Sequence, residues 1–203
     1  MFHPGIDLTD ILALATIIVW PVIPLFWIPV HGFPKIFRKI GIATYIMPLV
    51  LWLPLAYFLF MNRFFLLTFR VTLPGLVTIV GLILMVSGTA LQIWTGKLLR
   101  LRGLMGLPEI TRRVDGTLVT EGAFSVVRHP TYLSHTLMFA GVFLISGVTA
   151  AGVVTLLDFL IVNLAIIPLE ERELSRRFGP AYEEYRKKVP KFFPRHLPRK
   201  NQR

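Results

Sequence analysis

The chain of 203 residues contains no cysteine, which excludes disulfide bonds, a thiol nucleophile and a metal site with cysteine ligands. Negative charge is scarce too, because 11 Asp and Glu residues face 22 Lys and Arg residues. The sequence also lacks a zinc-binding signature, an arguable Ser-His-Asp arrangement and a glycine-rich phosphate loop after a strand. We therefore expect no bound metal and no covalent catalysis of these kinds.

Charge is missing from long stretches of the chain, and 54% of its residues are apolar. Three segments have no charged side chain and about the 20 residues that a membrane-spanning helix needs, namely 11–30, 40–61 and 71–96. A fourth segment, 130–169, is twice the required length and carries only Asp158, so we expect two spans joined by a turn near 147–152. The sequence predicts an all-α integral membrane protein with five transmembrane helices, a cytosolic loop and C-terminal amphipathic helices.

The net charge of +11 is unevenly distributed along this topology. Of the 22 Lys and Arg residues, 20 fall in the first loop, the third loop and the C-terminal tail, which would all lie on one side. This bias predicts an N-terminus outside and a C-terminus in the cytoplasm. Topology thus explains the charge, and we expect membrane lipids rather than nucleic acid as partners. No basic residue precedes the first apolar run, so we expect no cleaved signal peptide.

Two polar segments flank the predicted hairpin and emerge on the same side of the membrane. The first reads SVVRHPTY over 125–132, and the second reads EERELSRRFGPAYEEY over 170–185. Pro130 suits the first position of a helix, which places His129 at the helix start, where free backbone amides favour an anionic group. The residues alone leave two interpretations open. Either they form a site, or Arg128 snorkels, His129 caps the helix and the glutamates form a solvated face.

The order and spacing of these motifs resemble the isoprenylcysteine carboxyl methyltransferase family, which is related to the phospholipid N-methyltransferases. The resemblance covers about 115–194, and the first half of the chain shares only its membrane helices. It implies that 1–96 form three N-terminal spans and that 97–203 form a methyltransferase-like region with a cytosolic loop, a hairpin and a basic tail.

The resemblance also implies S-adenosyl-L-methionine as the cofactor and a hydrophobic small molecule or lipid as the methyl acceptor. Arg128 and Glu171 are the candidate catalytic residues. The expected cofactor-binding residues are Thr117, Leu118, Val119, Phe124, His129, Pro130, Thr131, Tyr132 and Glu170. A helix start suits the carboxylate of the cofactor, a glutamate suits its ammonium, and aromatic rings suit its adenine or sulfonium.

Lone polar residues inside the spans suggest where an acceptor would bind. Gln92, His135 and Asn163 all lie in the cytosolic third of their helices, where they either line an acceptor pocket or join helices by hydrogen bonds. Asp158 lies deeper, and we expect a structural partner for it such as Thr155. The family's eukaryotic members carry a basic residue at the position of Ile166, so we expect prenylcysteine to be a poor substrate here.

Two other functions stay open at this point. A sterol-type membrane reductase that uses NADPH has a similar C-terminal segment, although Thr131 and Glu170 favour the methyltransferase. A non-catalytic membrane scaffold would leave His129 and Glu170 without a ligand. The sequence does not predict the oligomeric state or the identity of the acceptor.

Overall fold

The computed structural model describes residues 6–111 and 116–192. Residues 112–115 of the predicted third loop and 193–203 of the basic tail lie outside the described residues. The described residues form helices and no β-strand. In chain order the α-helices are α1 Leu8–Val19, α2 Val22–Gly32, α3 Pro34–Ile40, α4 Ile46–Met61, α5 Arg63–Thr68, α6 Gly75–Leu104, α7 Leu107–Ile110, α8 Ala123–Val126, α9 Pro130–Ser146, α10 Thr149–Ile161, α11 Ile167–Phe178 and α12 Pro180–Lys188.

Two short segments of other helix types also occur among the described residues. A 3-10 helix, Gly41–Tyr45, links α3 to α4, and a π-helical segment, Val162–Ile166, joins α10 to α11. The extra residue per turn of a π-helix shifts the side chains that follow it, and such segments are frequent at functional sites. Here the segment lies just before Glu170, so it sets the direction in which the charged face of α11 points.

Four stretches of helix are long and apolar enough to cross a membrane, counted over the described residues. They are Leu8–Gly32, Pro34–Met61, Gly75–Ile110 and Thr149–Phe178. The helix that would make a fifth, α9, has 17 residues and is shorter than these. The structure therefore gives a helical membrane protein with four such stretches, and the predicted count of five does not follow from helix length alone.

The predicted hairpin is confirmed, and it turns where the sequence suggested. Gly147 ends α9 in the left-handed region at φ 66°, which glycine adopts at little cost. The Val71 amide donates to the Gly147 carbonyl at 2.8 Å, and the Thr149 amide donates to Phe69 at 2.9 Å. A Cβ atom at Gly147 would clash with the Val71 carbonyl oxygen. The turn is therefore fixed against the connection between α5 and α6.

Helices α6 and α9 pack with their backbones close together. A Cβ atom at Gly81 would lie 3.0 Å from the Gly141 carbonyl oxygen, and one at Gly88 would lie 2.8 Å from that of Ser134. Small residues permit this approach in membrane helices. Gly81 and Gly88 therefore allow the two helices to pack closely, whereas a Cβ atom at Gly75 would meet nothing within 4 Å.

Asp158 has a structural role, as expected, but the predicted partner is wrong. The carboxylate of Asp158 accepts hydrogen bonds from Trp20 Nε1 at 3.1 Å and from Thr136 Oγ1 at 3.3 Å. Thr155 instead donates to the carbonyl of Ala151 in its own helix. Asp158 therefore joins α10 to α1 and α9, and a hydroxyl one turn away along the same helix is satisfied locally.

Candidate functional site

A cavity of about 740 Å³ opens where α2, the end of α6, the start of α9, α11 and α12 meet. Its volume lies in the range of about 300–1,000 Å³ that is usual for small-molecule sites. Several buried polar atoms that line it have no hydrogen-bond partner among the described residues. The side chains that carry these atoms are His31, Glu109, Thr131, His135 and Tyr182. A buried polar group without a partner is costly, so this arrangement suits a polar ligand.

His129 is held at the start of α9 between two carboxylates. Its side chain is 3% exposed, with Nδ1 at 3.3 Å from Glu170 Oε2 and Nε2 at 3.0 Å from Glu171 Oε1. Both ring nitrogens face a carboxylate, and only the protonated ring can donate from both. Burial lowers the pKa of His129, but the hydrogen bonds and charges of Glu170 and Glu171 outweigh it and raise the pKa above its usual value.

Arg128 holds the polar end of the hairpin together. Its Nε and Nη2 donate to Glu171 Oε1 at 3.1 and 2.7 Å, and its Nη1 donates to the carbonyls of Arg186 and Val189. The Arg128 amide also donates to the Pro190 carbonyl at 2.8 Å. Arg128 therefore connects α11 with the end of α12.

The two candidate catalytic residues differ in their relation to the cavity. Arg128 lines it, whereas Glu171 lies outside the lining and faces Arg128 and His129. Their contacts orient His129 and join helices.

Eight of the nine predicted cofactor-binding residues line the cavity. The eight are Thr117, Leu118, Val119, Phe124, His129, Thr131, Tyr132 and Glu170. Pro130 lies outside the lining and is buried as the first residue of α9. The structure thus brings residues from three separated motifs to one cavity, as the hairpin topology predicted.

The predicted acceptor residues divide into two that line the cavity and one that does not. Gln92 and His135 line it, and Gln92 also accepts a hydrogen bond from Ser134. Asn163 lies elsewhere and donates to the Phe159 carbonyl one turn earlier at 2.8 Å. Asn163 therefore satisfies the backbone next to the π-helical segment.

The side chain of Ile166 is fully buried and packs with Tyr132, Val162 and Ile167. It lies outside the cavity lining. Ile166 therefore supports Tyr132 by apolar packing. The position has no charged side chain that could meet a substrate.

Helix α12 is amphipathic, and its apolar face is buried within the protein. Its apolar stripe includes Tyr182 and Tyr185, which are 1% and 8% exposed and line the cavity. The Tyr185 hydroxyl donates to the Phe124 carbonyl at 2.7 Å. An amphipathic helix can bury its apolar face in a membrane or in protein, and here it covers the protein's own cavity.

Several lining residues were not predicted from the sequence. Trp27 and His31 come from α2, Glu109 comes from α7, and Arg177 comes from α11. Arg177 donates to Glu109 at 3.2 Å, while Arg38 of α3 pairs with Glu173 at 2.6 Å. His31 is the one that the sequence could have shown, because it is a polar residue at the end of an apolar run.

Arg100 marks a kink in α6 beside the cavity. Its backbone lies at φ 56° and ψ 170°, a region that residues other than glycine rarely adopt. The kink turns the last residues of α6 over the cavity, where Leu104 and Gly103 join the lining. No sequence pattern at Arg100 predicts this break in the helix.

The described part of the chain contains no group of three His, Asp or Glu residues placed to hold a metal ion.

A sequence profile of the phospholipid methyltransferase family matches residues 76–181, which is just over half of the chain. The protein belongs to the phospholipid methyltransferase family. The matched residues include α6, the hairpin and α11, and they hold most of the cavity lining. The resemblance found in the motifs is thereby confirmed at the level of the family.

Curated relatives of this family member carry two kinds of name. A protein-S-isoprenylcysteine O-methyltransferase of Schizosaccharomyces pombe is 38% identical over 86 residues, which cover 41% of this chain and 35% of the relative. A second one from Arabidopsis thaliana is 32% identical over 97 residues, covering 46% and 47%. A cobalt-zinc-cadmium resistance protein of Cupriavidus metallidurans is 33% identical over 113 residues, covering 50% and 52%.

The chain spans about half or less of the length of each of these relatives. No solved structure matches it.

Proposed function

We propose that this family member is an integral membrane methyltransferase that uses S-adenosyl-L-methionine and methylates a hydrophobic acceptor. One observation carries the proposal. Buried His129 lies between Glu170 and Glu171 at the start of α9, beside a cavity that Glu170 lines together with buried polar atoms that have no hydrogen-bond partner among the described residues.

The residues of the cavity fit this cofactor in kind. The Glu170 carboxylate, which lines the cavity, suits an ammonium group, and the first amides of α9 with the Thr131 hydroxyl suit a carboxylate. Phe124 and Tyr132 offer aromatic faces to an adenine or a sulfonium. When bound, the cofactor supplies an activated methyl group on its sulfonium. The protein's own contribution is to orient the two reactants and to exclude water.

We assign Arg128 and Glu171 to positioning. Arg128 pairs with Glu171, and Glu171 also contacts His129. Glu171 lies outside the cavity lining. Removal of Glu171 would release His129 from one of its two carboxylate partners. Removal of Arg128 would loosen the end of α12. We therefore expect their loss to weaken cofactor binding indirectly.

The acceptor is expected to be lipid-like, with Gln92 and His135 beside its reacting group. Both side chains line the cavity within helices that carry long apolar faces. Two relatives are named protein-S-isoprenylcysteine O-methyltransferases, so those proteins methylate an oxygen of an isoprenylated cysteine. Ile166 provides no charge to hold a carboxylate here, so we retain the expectation that prenylcysteine is a poor substrate.

We further propose that α9 and α10 both span the membrane, which gives five spans with the N-terminus outside and the C-terminus in the cytoplasm. The region 97–203 then carries most of the cofactor site, and 1–96 supplies membrane helices and part of the cavity.

Calorimetric titration of the purified protein with S-adenosylhomocysteine and, separately, with NADPH tests the proposal. We expect binding of the first compound only. Binding of NADPH alone would favour a sterol-type reductase, and binding of neither would favour a scaffold.

A further inference from the structure

His31 on α2 has the most unusual surroundings of the polar side chains that line the cavity. It is 5% exposed, and neither ring nitrogen has a hydrogen-bond partner among the described residues. Its ring stacks on Trp27 with 5.1 Å between centroids and 12° between planes. The stacking fixes the ring, and both nitrogens stay available to a ligand. His31 also lies outside the 76–181 segment that the family profile matches.

The charged groups around His31 are already engaged with one another. The charges of Glu170, His129 and Arg177 all act on His31. His129 faces Glu170 and Glu171 with both nitrogens, and Arg177 pairs with Glu109. His31 is therefore the lining histidine whose two nitrogens are both buried and free, whereas His135 has one such nitrogen.

These contacts favour an uncharged hydroxyl at His31. A neutral imidazole has one donor and one acceptor nitrogen, which match the acceptor and donor sites of a hydroxyl. A carboxylate would meet the free oxygen of Glu109 and the carboxylate of Glu170 in the same cavity. An ammonium would bind those two carboxylates in preference to an imidazole.

We propose that His31 binds the hydroxyl of the methyl acceptor and takes up its proton as the oxygen is methylated. The inference rests on the proposed methyltransferase function. In the balanced step a C–O bond forms as the C–S bond of the cofactor breaks, and the hydroxyl proton moves to a nitrogen of His31. The acceptor is thereby an alcohol or phenol with a hydrophobic tail.

A coloured probe tests the proton transfer without any turnover. In 4-nonyl-2-nitrophenol the ionised form absorbs visible light much more strongly than the neutral form. We expect the wild-type protein with bound S-adenosylhomocysteine to show the phenolate band below the pH at which the free probe ionises. His31→Gln keeps polar groups at this position but cannot take up a proton, so the band should disappear. Phe33→Leu, at an exposed position just after α2, serves as the control and should keep it.

Two results would overturn the role of His31. One is the absence of the phenolate band in the wild-type protein while S-adenosylhomocysteine binds normally. The other is a band of equal strength in His31→Gln. If S-adenosylhomocysteine itself does not bind, the proposed function fails first, and the two failures are therefore distinguishable.

A rate ratio removes the effect of any loss of folded protein in the variant. General-base catalysis contributes about 100- to 10,000-fold. At a pH that ionises only the nitrated probe, His31→Gln should slow methylation of 4-nonylphenol by at least about 100-fold relative to the nitrated compound. Both rates are proportional to the amount of folded enzyme, so the ratio of the two rates is independent of that amount. A ratio equal to that of the wild type would overturn the inference.

Discussion

At the scale of single residues, the site depends on a protonated His129 between two carboxylates. Its neighbours raise its pKa above the ordinary value of 6.5. The folded protein therefore binds this proton more tightly than the unfolded chain does. The resulting stability is fully present below about pH 6.5 and is lost as the pH rises through the pKa of the folded state.

The raised pKa of His129 leads to a prediction for the His129→Gln variant. At pH 6 the variant should be less stable by about 1.5–3 kcal/mol, because hydrogen bonds to charged groups are lost. The difference from the wild type should become smaller as the pH is raised, since the wild type then loses its own proton. Thermal unfolding in detergent over a pH series measures it. A difference that is constant or grows with pH would contradict the assignment of a protonated ring.

The sequence allowed the motif residues to be found but not their division of roles. Arg128 and Glu171 adjoin the cofactor candidates along the chain, yet their contacts hold helices together. The direction of each side chain decides whether it contacts the cavity or joins helices. On α11 this direction depends on the π-helical segment that precedes the helix. His31 stands out in the sequence as a polar residue at the end of an apolar run, but its surroundings at the cavity form only when α2 packs beside α7 and α11.

At the scale of the elements, the contact between α6 and α9 positions the start of α9 beside the cavity. The contact depends on glycine. A Cβ atom at Gly141 would lie 2.6 Å from the Met85 amide nitrogen and 2.7 Å from the Gly81 carbonyl oxygen. Both neighbours are backbone atoms, so a side chain there must push the helices apart.

Gly141→Ala should therefore lower stability by about 1–3 kcal/mol, the usual cost of overpacking. Gly75→Ala is the matched control, because a Cβ atom there meets nothing within 4 Å. The control should leave the melting temperature in detergent unchanged or slightly higher. Equal melting temperatures for the two variants would mean that the helices are less closely packed than described.

Charge-free runs and the Gly147 turn made the hairpin predictable, and Pro130 and Pro180 mark two helix starts as expected. The placement of α12 was not predictable, because its apolar stripe fits a membrane surface as well as a protein surface. The kink at Arg100 was also hidden, since nothing in the local sequence breaks the helix there.

At the scale of the whole molecule, both halves of the chain build the cavity. Trp27 and His31 come from the first span, and Gln92 comes from α6. Apart from Gln92, the sequence placed the predicted site in the second half, where the motifs lie. Long-range packing between α2 and α11 explains the difference, because single-sequence motifs do not record it.

The proposed topology predicts the outcome of reporter fusions. A fusion after Arg203 should be cytoplasmic, and an insertion near Ala150 should be external, because Ala150 lies beside the hairpin turn. The bias of 20 basic residues to one side supports this arrangement. A cytoplasmic signal at Ala150 would show that α9 and α10 do not both cross the membrane.

Calorimetry with S-adenosylhomocysteine tests most directly whether the cavity binds the cofactor through Glu170. Glu170→Gln keeps the shape of the side chain and removes its charge. Affinity should fall by roughly ten- to a hundredfold, which corresponds to about 1.5–3 kcal/mol. Glu184→Gln, an exposed change on α12 where Glu184 pairs with Lys188, should leave the affinity unchanged. Equal affinities of Glu170→Gln and the wild type would contradict the account.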